Sequence, residues 1–194
     1  MAKSLQDAFD GSRVGVQFRK IGEDQGRMIT NSRNGTVYSG KLYQRVKGWD
    51  GRIWVRSYDE ISATNWYHTG GSVPGSSNIG VFNSKLFQVV KGWSGKIYFR
   101  FGTSENNLSN WEYLPNSFVV GETDFIKLND KILVSARGTN GSIFLGYITE
   151  GQERYFLTLD GETPGEIDLI EFNSEPYITV VGKSRKIFTR NLPN

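Results

Sequence analysis

The chain has 194 residues, with 23 lysines and arginines against 20 aspartates and glutamates, one histidine and no cysteine. This length suits one well-cored domain, and a nearly balanced charge without a basic stripe argues against a nucleic-acid partner. With no cysteine and only His68, disulfides, thiolate zinc sites and multi-histidine metal sites are excluded.

The N-terminal stretch MAKSLQDAFDG lacks the apolar run of a signal peptide, and no segment reaches the length of a transmembrane helix. We therefore expect a soluble protein without membrane insertion. It would be cytoplasmic or virion-associated, and released by lysis if it works outside a cell. The compartment and the oligomeric state are left open.

The first predicted strand covers residues 14–22, where Phe18 stands three residues before Ile21 and a glycine follows. After it, the chain carries a sixteen-residue element four times. The copies are KLYQRVKGWDGRIWVR from Lys41, KLFQVVKGWSGKIYFR from Lys85, KILVSARGTNGSIFLG from Lys131 and EPYITVVGKSRKIFTR from Glu175. A fixed period of this size predicts a repeat architecture.

Each copy predicts a β-hairpin, because two apolar stretches with an alternating pattern flank a glycine-containing turn. In the third copy the turn contains Asn140-Gly141, two residues that tolerate positive φ. A shorter strand precedes each hairpin. A fourth strand, marked by an aromatic residue, follows the first three hairpins at Trp66, Trp111 and Phe156.

The fourth copy runs out of chain before such a strand, and residues 14–22 carry the same signature at Phe18. We therefore predict an all-β, four-bladed β-propeller with four antiparallel strands per blade, closed by the N-terminal strand, since closure leaves no open sheet edge. The competing interpretation is an open or domain-swapped array. The single domain of residues 1–194 would contain blades at 36–71, 79–116, 124–161 and 167–194 plus 14–22.

This pattern of a strand, a hairpin such as KLFQVVKGWSGKIYFR and an aromatic strand such as NWEYLPN resembles the bacterial and fungal β-propeller lectins, including the fucose-binding families. The resemblance covers residues 36–194 and the N-terminal strand. It implies a non-catalytic protein that binds glycans near the blade junctions. The alternative is a structural or protein-interaction propeller of a virion or other multi-protein assembly.

Trp49 and Trp93 are the first candidate ligand-binding residues, because the other two copies have Thr139 and Lys183 at this position of the hairpin tip. Exposed aromatic side chains stack on sugars or anchor protein partners, although each could instead lie flat on its neighbouring blade. Trp66 and Trp111 belong to an all-aromatic column, which favours packing between blades. The third-strand column Trp54, Tyr98, Phe144 and Phe188 is interpreted as core in the same way.

Polar residues complete the predicted ligand-binding set: Arg56, Arg100, Arg190, Gln44 and Gln88. The three arginines share a strand position that points into a gap between blades, where a guanidinium needs a carboxylate or carbonyl partner or a sugar hydroxyl. No catalytic residue, metal or cofactor is predicted. Acidic residues are predicted to lie mostly in loops, and none is expected at the same position in several copies of the repeat. This argues against the paired carboxylates of a glycoside hydrolase.

Overall fold

The computed structural model describes residues 34–59, 62–75, 77–149 and 154–192, and within these ranges all regular structure is β-strand. No helix in the described part of the chain is long and apolar enough to cross a membrane. The predicted strand at 14–22, which includes Phe18, lies outside the described residues.

The strands form four antiparallel sheets, each built from consecutive strands. The first contains β1 (Asn34–Tyr38), β2 (Lys41–Lys47), β3 (Arg52–Tyr58) and β4 (Tyr67–Ser72). The second contains β5 (Ser77–Phe82), β6 (Lys85–Lys91), β7 (Ile97–Ser104), β8 (Asn107–Leu108) and β9 (Glu112–Tyr113). The third contains β10 (Thr123–Leu128), β11 (Lys131–Arg137), β12 (Ser142–Thr149) and β13 (Arg154–Glu162). The fourth contains β14 (Ile167–Phe172), β15 (Glu175–Val181) and β16 (Ile187–Asn191).

The predicted hairpins are therefore confirmed, and they share one register. Gln44 pairs with Arg56 in the first sheet and Gln88 with Arg100 in the second. In the last three hairpins the turn glycine is explained by the third-strand aromatic ring. A Cβ on Gly92 would lie 2.6 Å from Cε2 of Tyr98, so only glycine lets the ring lie against the turn.

The turn after β11 differs from the two-residue turn that Asn140-Gly141 suggests. The backbone N–H of Gly138 donates to the carbonyl of Ser142, and the N–H of Gly141 donates to the carbonyl of Gly138. Only the glycine of the pair has positive φ, at 87°, while the Asn140 side chain accepts a hydrogen bond from the N–H of Ser142. The loop is thus longer, with glycine at its left-handed position.

The first strands of the four sheets contact one another in chain order, β1 with β5, β5 with β10 and β10 with β14. The sheets spread outward from these strands in a propeller-like arrangement, and apolar clusters fill the gaps between neighbouring sheets. In the described part of the chain the first and fourth sheets do not join, so a closed ring is not formed there, and the number of blades stays a prediction.

The aromatic residues of the third-strand column differ in how far they are buried. Tyr98 and Phe144 pack against the buried clusters, as predicted. Phe188 is an exception, because it lies on the last strand of the fourth sheet, β16, and is 53% exposed. The interpretation of this column as core is therefore wrong at Phe188. The reason is local: no fourth strand covers this ring in the described residues.

Candidate functional site

One end of the sheets carries the start of each first strand and the tip of each β-hairpin. At this end Asn78 pairs with Val89, Asp124 with Ser135 and Asp168 with Thr179, which are equivalent positions in the three registers. The three polar side chains therefore form one column along the line where the sheets meet. We call Asp124 and Asp168 the inner carboxyl pair.

Side chains of this column bridge neighbouring sheets. The Asn78 amide donates to the carbonyl of Thr123 in the third sheet. One carboxylate oxygen of Asp124 accepts a hydrogen bond of 2.8 Å from the N–H of Leu169 in the fourth sheet. These bonds tie the first strands together, and they fix the Asp124 side chain toward the next sheet.

Burial raises the pKa of Asp124 above the usual range of an aspartate. The backbone N–H groups of Leu169 and Phe125 act in the opposite direction, because they stabilise the charged form, while the carboxylate of Asp168 raises the pKa further. The net shift is upward, so desolvation outweighs the hydrogen bonds. Asp168 itself is exposed. The inner carboxyl pair thus combines a partly buried acid with an exposed neighbour.

Trp49 and Trp93 lie at hairpin tips on the same end of the sheets and are 77% and 70% exposed. Trp93 also reaches across to the first sheet, where its Nε1 donates to the Ser72 hydroxyl at 3.2 Å. Its ring edges a cleft of about 310 Å³ between the first and second sheets, with Tyr98 and Trp111 in the lining. Trp93 therefore bridges two sheets and still presents most of its ring to solvent.

The predicted glutamine and arginine residues pair within their own sheets. Nε and Nη2 of Arg56 donate to the side-chain oxygen of Gln44 at 3.2 and 3.1 Å, and the guanidinium stacks on Trp66. This group is half-buried on the side of the first sheet that faces away from the second.

The equivalent pair in the second sheet is enclosed. Nε and Nη2 of Arg100 donate to the side-chain oxygen of Gln88 at 2.9 and 2.7 Å, and Nη1 donates to the carbonyl of Thr69 at 2.6 Å. The Arg100 guanidinium also lies 3.9 Å from the ring centre of Trp111. Burial lowers the pKa of Arg100 to about 10, although the nearby Tyr67 opposes this shift.

Arg190 lies apart from these groups. It is exposed and lines a cleft of about 680 Å³ between the third and fourth sheets, together with Lys183 and Phe188. The structure thus brings the predicted residues together only in part: Gln44 with Arg56, and Gln88 with Arg100. The two tryptophans and Arg190 occupy separate places.

The inner carboxyl pair was missed by sequence reasoning, and the assumption that no acidic residue recurs in a column is wrong. Asp124 and Asp168 each lie seven positions before the start of a repeat copy, at Lys131 and Glu175. Extending the alignment one strand upstream of each hairpin would have found them. Among the described residues, no group of three or more acidic or histidine side chains could hold a metal ion.

Replacing both tip tryptophans is expected to change stability little. Because the rings of Trp49 and Trp93 remain largely in solvent, the double variant Trp49→Ala with Trp93→Ala should lose about 1 kcal/mol or less of its free energy of unfolding. Urea unfolding monitored by circular dichroism measures this loss. A loss as large as that of a core truncation would mean that the tips support the fold.

No protein-family model matches the sequence, and no curated protein matches it. Solved structures do match the fold. BBS1N, in a complex with ARL6DN, matches with a TM-score of 0.58 and 16% identity over 89% of this chain and 54% of its own. The alpha-L-arabinofuranosidase PaAbf62A of Podospora anserina, in complex with cellotriose, has a TM-score of 0.53 and 10% identity over 88% of this chain and 66% of its own. An alpha-L-arabinofuranosidase of Clostridium thermocellum has a TM-score of 0.38, which is too low to indicate a shared fold.

These likenesses support a propeller-like all-β fold and nothing finer. This chain spans only 54% and 66% of the length of the first two structures. The resemblance to fucose-binding lectins receives no support from sequence comparison.

The predictions of a non-catalytic lectin and of no enzyme activity are wrong in this light. A structure that shares the fold is a glycoside-cleaving enzyme, so the fold itself gives no reason to assign a non-catalytic role. The argument from acidic residues fails as well, since the inner carboxyl pair occupies one column of the sheets. Exposed aromatic side chains indicate a binding surface, and they do not distinguish an enzyme from a non-catalytic protein.

Proposed function

We propose that the protein is a carbohydrate-active enzyme that cleaves glycosidic bonds at the inner carboxyl pair, Asp124 and Asp168. The observation that carries the proposal is the environment of Asp124, a carboxyl whose pKa is raised by burial and by the neighbouring Asp168. Two carboxyl groups in contrasting surroundings are the arrangement that glycoside hydrolysis requires.

The roles follow from these surroundings. Asp124 holds its proton to higher pH than an ordinary aspartate, so it donates that proton to the oxygen of the departing sugar. Asp168 is solvated and acts as the carboxylate, either by taking a proton from the attacking water or by attacking the sugar itself. In the first route the proton that Asp168 takes from water is released to solvent, and Asp124 regains a proton from solvent. In the second route the sugar forms an ester with Asp168, and a water molecule hydrolyses this ester while giving its proton to Asp124.

Trp49 and Trp93 provide the accompanying glycan-binding surface. They are exposed and lie on the end of the sheets that carries the inner carboxyl pair. An aromatic ring with one open face stacks on the apolar face of a sugar. Because PaAbf62A is an arabinofuranosidase in complex with cellotriose, we propose plant-type polysaccharides as the substrate class.

A substrate screen tests this function. Purified protein is incubated with arabinan, arabinoxylan, cello-oligosaccharides and a panel of nitrophenyl glycosides, and released sugar is measured by chromatography. We expect release from at least one substrate, with none from heat-unfolded protein. No release from any of them by folded protein would overturn the proposal and would leave a protein partner as the ligand of the two tryptophans.

We also propose that residues 1–194 form one domain whose four sheets are propeller blades, with residues 14–22 completing the fourth. The two inter-sheet clefts support this. Lys183 and Phe188 in the larger cleft occupy the repeat positions of Trp93 and Tyr98 in the smaller one. The smaller cleft also contains Trp111, next to a fourth strand. The larger has no counterpart among the described residues, and Phe18 has the size and sequence signature to fill that place.

Removing residues 1–22 is therefore expected to destabilise the protein. Without them the apolar wall at Phe188 and the edge of β16 stay in water, and an unpaired strand edge promotes aggregation. We expect a melting temperature at least about 5 °C lower than that of the full chain, measured by differential scanning fluorimetry. A soluble truncated protein with unchanged melting would contradict this role of the N-terminal strand.

A further inference from the structure

A charged side chain lies fully enclosed between the first and second sheets. Arg45, on β2, is 1% exposed. Its Nη1 donates to two carbonyl oxygens of the second sheet, that of Asn78 at 2.9 Å and that of Val89 at 3.4 Å. Its Nε and Nη2 are buried and have no hydrogen-bond partner among the residues that the structure describes. Two donors of a buried cation are thus unsatisfied.

The second sheet presents donors to the same gap. The side-chain oxygen of Gln88 accepts from Arg100, while its Nε2 is buried and has no partner within the described ranges. Arg100 is 4% exposed and reaches the first sheet at the carbonyl of Thr69. We call Arg45, Gln88 and Arg100 the polar layer.

The polar layer separates two apolar clusters. On one face of β6, Gln88 stands between Leu86, which packs with Tyr43 and Val55, and Val90, which packs with Ile53. Burial lowers the pKa of Arg45 well below its usual value, and the charge of Arg100 lowers it further. Each of the two guanidinium groups therefore makes the other more costly to bury.

No carboxylate compensates these charges in the described part of the chain. The ion pairs found there join other residues, at Asp50, Glu112 and Glu162. In the described part of the chain, the acceptors of Arg45 and Arg100 are neutral oxygens, from backbone carbonyls and from the Gln88 amide. A buried cation without a negative partner is strongly unfavourable.

The fold does not require this layer. In the gap between the second and third sheets the positions equivalent to Arg45, Gln88 and Arg100 hold Val89, Val134 and Gly146. There a continuous apolar cluster that includes Phe87, Phe99 and Ile132 fills the space. The gap between the second and third sheets is thus filled without a polar layer.

We propose that a small monovalent anion such as chloride binds between the first and second sheets, held by Nε and Nη2 of Arg45 and by Nε2 of Gln88. All three unsatisfied atoms are donors, so their partner must be an acceptor. Two nearby positive charges favour an anion over water, because water would satisfy the donors and leave the charge uncompensated. This site is independent of the inner carboxyl pair.

The full-length protein is tested in sodium chloride, sodium bromide and sodium gluconate at equal ionic strength. An anion that binds only the folded state raises the melting temperature by mass action. We expect a saturable rise of several degrees with chloride or bromide over gluconate. A bromide-soaked crystal should show an anomalous peak within hydrogen-bonding distance of Arg45 Nε. Equal melting in the three salts, with a water molecule in the site, would overturn the proposal.

Two variants separate anion binding from general salt effects. Gln88→Glu supplies a carboxylate inside the layer, so it should fold, compete with the anion and abolish the difference between the salts. Arg56→Met removes the equivalent arginine on the half-exposed face of the first sheet and should keep that difference. If Gln88→Glu retains the full chloride-dependent rise, the anion does not bind at the polar layer and the proposal fails.

Discussion

Asp124→Asn is expected to reduce kcat by about 10²- to 10⁴-fold on any substrate that the parent protein cleaves, the range typical for loss of a general acid. The asparagine keeps an oxygen that accepts from the N–H of Leu169, and it cannot donate an acidic proton. The assay is initial-rate kinetics on the substrate identified by the screen. Asp168→Asn should also reduce kcat, because it removes the carboxylate of the pair.

The fold should survive this change, for two reasons. An amide already stands at the equivalent position of the second sheet, where Asn78 bridges to the next sheet. In addition, the folded state raises the pKa of Asp124, so this carboxyl favours folding at acid pH and loses that contribution as pH rises through its folded-state pKa. At neutral pH an uncharged side chain at this position therefore carries no stability penalty from charge burial.

Asp130→Asn is the matched control, because Asp130 is an exposed aspartate in the turn at the other end of β10. It should keep the kcat and the melting temperature of the parent. An undiminished kcat in Asp124→Asn would exclude Asp124 as the proton donor. A parallel fall in the control would point to a general loss of charge instead of a catalytic role.

Trp111→Ala is expected to lower the free energy of unfolding by about 3 kcal/mol, the lower end of the range for truncating a large aromatic residue, because the ring is only partly buried. The ring packs on the cluster of Ile53, Val73 and Val90, with the Arg100 guanidinium stacked on it. Its Nε1 would lie 3.0 Å from a Cβ on Gly71, so the ring also fills the space above the first sheet. Removing it opens the gap between two sheets.

Trp66→Ala is the comparison within the same aromatic column. Trp66 stacks with Arg56 on the side of the first sheet that faces away from the second, so we expect a smaller loss than at Trp111. Chemical unfolding in urea measures both free energies. Equal losses of unfolding free energy at Trp66 and Trp111 would mean that the loss depends on the position in the repeat and not on the contacts of each ring. A loss below about 1 kcal/mol at Trp111 would show that its ring does not hold the sheets together.

The hairpins could be predicted from the sequence because their signals are local and repeated four times. The turn glycines show why: Gly92 must be glycine to accommodate Tyr98, and every copy of the repeat combines a glycine with an aromatic residue at these two positions. The packing role of Trp111 followed from its all-aromatic column. The same structural constraint acts on such a position in every copy of the repeat, so a single sequence shows the constraint several times.

The candidate site could not be derived in this way, because it depends on contacts between sheets. Arg45 is a single departure from a column that holds Val89, Ser135 and Thr179 elsewhere. The amino-acid sequence does not show that Arg45 faces Gln88 and Arg100 with no carboxylate nearby. The raised pKa of Asp124 likewise arises from burial and from Asp168, 44 residues further along the chain. Tryptophans at a variable turn position stand out in a sequence, whereas one aspartate on a short strand does not.

Carboxyl-carbon NMR titration of Asp124 tests the central claim most directly, since the claim is that a partly buried carboxyl with a raised pKa stands beside Asp168. In the parent protein we predict that Asp124 titrates above the ordinary aspartate value of 3.8, and that Asp168→Asn lowers this pKa by removing a neighbouring negative charge. An Asp124 carboxyl that titrates at or below that value in the parent, and does not respond to Asp168→Asn, would contradict the account.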